Sequence, residues 1–190
     1  MEIKTDVVID AKGLACPMPI VKTKKTMSTV DPGKVVLVEA TDKGSLADIK
    51  AWAKSSGHEY IGSVEEEGVL KHYLRKGSNE EKEEKKHPHV VNNDQLSSKL
   101  DENADFILVD VREPAEFVFS HIPGAVSIPF GQLEERIDKL EKEKEIYVVC
   151  RTGNRSDMAC QVLTEKGFEK VINVVPGMSE WSGPIEKMGK

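Results

Sequence analysis

Apolar and polar positions alternate in two separate patterns along this chain, and the stretch between them carries no apolar side chain except one proline. In the first pattern Val7 to Asp10 reads as a strand. Ile20, Thr23, Met27 and Val30 then fall on one face of a helix over 17–30, with Lys22 and Lys25 on the other. Val35-Val36-Leu37-Val38 is a second strand. Ser45-Leu46-Ala47-Asp48 has the spacing of a capping box, and Ile49, Trp52 and Ala53 follow it facing inward until Gly57 stops the helix. Tyr60 to Val64 and Val69 to Leu74 read as strands joined by a turn at Glu67-Gly68. The order β-α-β-α-β-β predicts a small two-layer sandwich with both helices on one face of the sheet.

The second pattern runs helix, strand, helix, strand: Asn93 to Leu100, Phe106 to Asp110, Glu113 to Phe119, Ala125 to Ile128. An amphipathic segment over Leu133 to Leu140 follows, then a strand at Ile146 to Val149. A helix over Met158 to Lys166, stopped by Gly167, leads to the last strand at Val171 to Val174. Strands alternating with helices predict a doubly wound parallel sheet, whose sites lie at the carboxyl ends of strands. Between the patterns, Lys76 to His89 reads as a solvated linker with transient helix in its charged centre. Treated as a flexible coil it spans roughly 20 Å. The expected organisation is an α/β domain over 1–76, a charged flexible linker over 77–89 and a second α/β domain over 90–190.

Composition narrows the class. At 190 residues, 32% charged and 38% hydrophobic, the chain fits two small soluble domains. A net charge of -6 argues against nonspecific nucleic-acid binding. No apolar run approaches a membrane span, and Met1-Glu2-Ile3-Lys4-Thr5-Asp6 lacks a signal peptide's apolar core, so the cytoplasm is the expected location. Three cysteines, Cys16, Cys150 and Cys160, match no zinc framework and predict free thiols. Two histidines flanking Pro88 do not make a metal site without a third ligand.

The chemistry concentrates in Cys150-Arg151-Thr152-Gly153-Asn154-Arg155-Ser156, between the apolar strand Ile146 to Val149 and a helical pattern. A strand–cysteine–turn–helix sequence surrounds the sulfur with backbone N–H groups at the positive end of a helix, which favours an anion there. Arg155 is expected to orient that anion and Arg151 to face the substrate mouth, with Thr152, Gly153, Asn154 and Ser156 completing the binding loop. Cys160, inside the following helix, reads as packing. Asp110 and Arg112 read as a supporting pair, and His121 as architectural.

With Asp110-Val111-Arg112-Glu113, Glu116-Phe117 and His121-Ile122-Pro123-Gly124-Ala125, this loop resembles that of single-domain rhodaneses over about 90–190. Phosphatases of the same fold have a loop longer by one residue; here four residues separate Cys150 from Arg155, which suits a sulfur atom better than a phosphate. Val175-Pro176-Gly177-Met178 departs from the double glycine frequent in rhodaneses, and altered local packing without lost activity is expected from it.

Cys16 precedes Pro17-Met18-Pro19 and therefore a helix start, so its thiol is expected to be acidified by the helix dipole. Asp10-Ala11-Lys12-Gly13-Leu14-Ala15-Cys16-Pro17-Met18-Pro19-Ile20, with Ala40-Thr41-Asp42 and Tyr73-Leu74-Arg75-Lys76, resembles the TusA-like (SirA-like) sulfur carriers over about 5–76. By that resemblance Cys16 carries a persulfide. The two resemblances together imply a TusA–rhodanese fusion. The implied function is a sulfurtransferase: Cys150 takes sulfane sulfur from thiosulfate or a low-molecular-weight persulfide and relays it to Cys16, for an acceptor protein docking on the amino-terminal domain. The alternative is a carrier with little turnover, loaded by a separate donor protein. Neither reading needs a metal or organic cofactor.

Overall fold

Two units make up the chain, Met1–Asn79 and Glu80–Lys190. The computed structural model describes residues 3–78 and 84–188.

In the first unit the strands are β1 (Val7–Ala11), β2 (Val35–Ala40), β3 (Glu59–Glu66) and β4 (Val69–Arg75), with helices α1 (Met18–Met27) and α2 (Ser45–Ser55). The sheet order is β1-β2-β4-β3. A crossover through α1 makes β1 and β2 parallel, whereas β3 and β4 are antiparallel. The hairpin follows from local chemistry: Glu67 and Gly68 both have positive φ, 52° and 79°, the two-residue turn that matches strand twist. One apolar core gathers Ile9, Ala11, Met27, Val36, Val38, Ile49, Ala53 and Leu74, so both helices share a face of the sheet as expected. On the opposite face Val8 is 59% exposed. Lys76 closes the carboxyl end of α1 by donating from Nζ to the carbonyls of Met27 and Val30.

The expected capping box does not form. Gly44 takes the cap position of α2, and Ser45 turns inward to meet the buried His72, Oγ to Nε2 2.9 Å. Tyr60 Oη lies 2.9 Å from the other ring nitrogen. A satisfied buried imidazole outcompetes a surface cap for the same hydroxyl.

The second unit contains β5 (Val90–Val91), α3 (Asn93–Asp101), β6 (Phe106–Asp110), α4 (Pro114–Phe119), β7 (Val126–Ser127), α5 (Leu133–Arg136), β8 (Glu145–Val149), α6 (Asn154–Glu165) and β9 (Val171–Val174). Its five strands are all parallel, in the order β5-β9-β8-β6-β7. Successive residues of a strand face opposite sides. Val109, Ile146 and Val148 therefore pack with Leu133, Ala159, Cys160 and Leu163 on one side. Leu108, Tyr147 and Val149 pack with Leu96, Ile122 and Val174 on the other. Helices on both faces make this the doubly wound sheet expected.

Three departures have physical causes. The strand β5 is two residues long, too short to show a period. The amphipathic segment 133–140 breaks after Arg136 into a 3-10 turn over Ile137–Lys139. Helix α6 begins at Asn154, four residues before the apolar pattern does, because its first turn is polar yet buried. The linker also departs from expectation. Lys86 and His87 donate their backbone N–H groups to the buried Asp157 carboxylate, at 2.9 to 3.1 Å. His87 is 7% exposed and its ring lies 2.7 Å from the Val171 carbonyl. Residues 84–89 are thus ordered on the second unit, held by one carboxylate that no local pattern singles out. The remainder of the expected flexible linker, 79–83, lies outside the described residues.

Candidate functional site

Strand β8 ends at Val149, and Cys150 begins the connection to α6. Gly153, with φ +90°, turns the chain so that its N–H donates to Cys150 Sγ at 3.1 Å. Ser156 Oγ, in the first turn of α6, lies 3.3 Å from the same sulfur. Asn173 on β9 steadies the turn by donating from Nδ2 to the Gly153 carbonyl, 3.1 Å. A Cβ on Gly153 would stand 3.0 Å from a methyl of Val175, a tight contact added to a φ that favours glycine. Cys150 is fully buried, at the positive end of a 12-residue helix. Gly153, Asn154 and Ser156 are buried beside it; Arg151 and Thr152 are half-buried at the rim.

Arg155 is placed differently from expectation. Its guanidinium meets Glu116 fork to fork, Nη1 to Oε2 2.8 Å and Nη2 to Oε1 2.9 Å, with both side chains buried. The pair ties the first turn of α6 to α4. A buried guanidinium needs a carboxylate partner, and Glu116 supplies a bidentate one. What Arg155 brings to the loop is therefore position first and charge second. Glu116 was quoted only as part of a motif, and its burial has no local signal: two residues 39 apart in sequence make the contact.

The supporting residues behave as read from sequence. Arg112 binds Asp110 through Nε and Nη2, and Nη2 also donates to the Ser120 carbonyl at 2.6 Å. His121 donates from Nδ1 to the Phe117 carbonyl at 2.8 Å and stacks on the Phe117 ring. Cys160 is fully buried, and burial pushes its thiol well up from the ordinary value.

The segment Val175 to Met178, far from the loop in sequence, lies against it. Met178 N–H donates to the Cys150 carbonyl at 2.9 Å, and Ser179 N–H to the Arg151 carbonyl at 2.8 Å. Gly177 has φ +87°, and a Cβ there would lie 2.4 Å from the Cys150 carbonyl oxygen. Because β8 and β9 are parallel neighbours, the loops that follow them emerge side by side.

In the first unit the same geometry assembles the surroundings of Cys16. The loops after the parallel pair β1 and β2 meet at one edge. Gly13 N–H donates to Thr41 Oγ1 at 2.9 Å, and Cys16 N–H to Asp42 Oδ2 at 2.8 Å. Asp10 holds the Lys12 N–H at 3.0 Å. The Cys16 thiol, exposed and next to the start of α1, donates to Asp48 Oδ2 of α2 at 2.7 Å. That hydrogen bond, then desolvation and the charges of Asp48 and Asp42, push the thiol up to about 11. The expected acidification is overturned. A helix dipole amounts to about half a charge at its end, and a full carboxylate in contact with the sulfur outweighs it. Asp48 was read only as a helix-cap residue; nothing in its local pattern directs it to the cysteine.

Residues 7–76 match the family model of the sulfurtransferase TusA, and residues 92–184 that of the rhodanese-like domain. A protein of Bacillus subtilis (strain 168) named "Putative sulfur carrier protein YrkF" is 48% identical over 184 residues, covering 97% of this chain and all of the relative. The sulfur carrier protein TusA of Allochromatium vinosum is 47% identical over 70 residues, 37% of this chain and 91% of that one. Among solved structures, a rhodanese-like domain protein from Staphylococcus aureus covers 53% of this chain and 99% of its own at 29% identity, with a TM-score of 0.51.

Proposed function

Since the chain belongs to the TusA–rhodanese fusions, within the sulfur carrier and sulfurtransferase family, we propose that it moves sulfane sulfur from a small donor to Cys150 and then to Cys16. The carrying observation is Cys150 Sγ at the start of α6, accepting the Gly153 N–H. The Cys150 thiolate attacks the outer sulfur of thiosulfate. One S–S bond forms, the donor's S–S bond breaks, and sulfite leaves with the bonding pair. A low-molecular-weight persulfide reacts in the same way and releases its thiolate. The new persulfide is an anion, which the Gly153 N–H and the helix terminus stabilise. Cys16 then attacks the outer sulfur, the Cys150 thiolate leaves, and no electrons are gained or lost overall. An acceptor protein docking on the first unit takes sulfur from Cys16.

A second reading is favoured by the name of the relative that the chain matches along its length: a carrier loaded by another protein's persulfide. The two differ in steady-state turnover. We expect thiocyanate formation from thiosulfate and cyanide, lost to roughly 1% or less in Cys150→Ser, because an alcohol there neither ionises nor holds a sulfane sulfur. Cys16→Ser should still gain one sulfur atom on Cys150 by intact mass. Retained turnover in Cys150→Ser would move the nucleophile elsewhere. Absent turnover in the wild type, with sulfur uptake from a donor protein, would favour the carrier reading.

A further inference from the structure

Among the described residues, the Cys16 thiol is the hydrogen-bond partner of the Asp48 carboxylate, and Asp48 is half-buried. Asp42 stands on the other side of the loop, but its oxygens receive the backbone N–H groups of Cys16 and Gly44, at 2.8 and 3.0 Å. Asp42 therefore fixes the loop, whereas Asp48 touches the reacting atom. On α1, Lys22 donates from Nζ to the Asp10 carbonyl at 2.5 Å. The charged group that touches the sulfur is thus the Asp48 carboxylate, and the charge of Asp42 adds to it from the loop.

We propose that Asp48 is the proton shuttle of Cys16, taking the thiol proton as sulfur is loaded and returning it as sulfur is delivered. This rests on the reading of Cys16 as a sulfur carrier. On loading, the S–H proton passes to the Asp48 carboxylate while the sulfur pair attacks the outer atom of a donor persulfide anion. The Cys16–sulfur bond forms, the donor's S–S bond breaks, and the donor leaves as a thiolate. The products are a Cys16 persulfide anion, a neutral Asp48 and the donor thiolate, so charge and atoms balance without an oxidant. On delivery an acceptor nucleophile takes the outer sulfur, the bonding pair returns to Cys16 Sγ, and Asp48 gives the proton back. Between turnovers the empty carrier stays a capped thiol, because two carboxylates disfavour its anion. That protects an exposed cysteine from adventitious alkylation and oxidation, and it favours release of sulfur over retention.

The test uses the full chain with Cys150→Ser and Cys160→Ala, so that Cys16 is the remaining thiol. Two rates are measured between pH 6 and 9, with Asp48 intact, as Asn and as Glu. One is alkylation of Cys16 by iodoacetamide, which reads the thiolate fraction; the other is sulfur gain by intact mass from glutathione persulfide. Asp48→Asn should speed alkylation at pH 7.5 by about tenfold or more, since one of the groups raising the thiol is removed. Sulfur gain should not rise with it, so the ratio of loading to alkylation falls by about tenfold. Asp48→Glu should restore part of that ratio. A parallel rise in both rates makes Asp48 an electrostatic neighbour only and overturns the proposal. Unchanged alkylation denies the contact itself. Asp48-dependent alkylation without any sulfur gain, in this protein and with Cys150 restored, sinks the carrier reading and the shuttle with it.

Discussion

Glu116 and Arg155 illustrate how single residues here are decided by burial. Each is under 5% exposed, so neither charge can be left alone, and together they lock the loop helix to α4. The same principle acts without charge at His72, which is fully buried between Ser45 and Tyr60. Burial pushes its imidazole down to about 4, against an ordinary value of 6.5. A group whose folded value is depressed in this way is neutral in the folded chain while the unfolded chain takes up a proton. Its contribution is intact above pH 6.5 and is lost as pH falls from there to about 4, by about 3 kcal/mol in all. Denaturant unfolding of the first unit's transition at pH 7 and pH 4.5 should show this loss. In His72→Gln the slope over that interval should flatten, and an undiminished slope would place the pH dependence elsewhere.

At the scale of elements, both cysteines follow a strand that has a parallel neighbour, and in each case the neighbour's loop finishes the site. The loop after β2 supplies Thr41, Asp42 and, one step on, Asp48 to Cys16. The loop after β9 lays Gly177 and Met178 on the Cys150 backbone. Gly177→Ala should therefore disturb Cys150 without touching its sulfur. The added methyl would overlap a backbone oxygen, at a φ that costs an L-residue about 1–3 kcal/mol. We expect sulfurtransferase turnover to fall about tenfold or more and the second unit's unfolding transition to drop measurably. Unchanged turnover at unchanged stability would show that the loops after β8 and β9 are not coupled.

The whole molecule places two sulfur-handling units on one chain, and in the proposed relay what the tether contributes is concentration. Two units joined by a short segment meet at about millimolar effective concentration, far above the micromolar level of free protein. A protease site inserted within 79–83 of the full chain allows the cut to be made after folding. Cleavage should then slow transfer of sulfur to Cys16 at micromolar protein, and concentrating the cleaved protein toward millimolar should restore it. Transfer that ignores cleavage at every concentration would mean that sulfur passes between chains or through a diffusible carrier.

Periodicity alone was sufficient for nearly every long element, for the hairpin at Glu67-Gly68 and for the parallel sheet. Those depend on which face of a strand or helix is apolar, and that information is local. The nucleophile loop was legible for the same reason: strand, cysteine, glycine turn and helix are consecutive. The expectations that changed at the sites depended on a partner distant in sequence. Arg155 met Glu116, Ser45 met His72, the linker's end met Asp157, and the segment at Gly177 came to rest on Cys150. Cys16 shows the division most directly. Its position before a helix is written in Pro17-Met18-Pro19, but the carboxylate that its thiol meets is Asp48, 32 residues away on another helix. Helix dipoles follow from local sequence, whereas contacts between side chains depend on how strands are ordered in the sheet, and only the folded chain specifies that order.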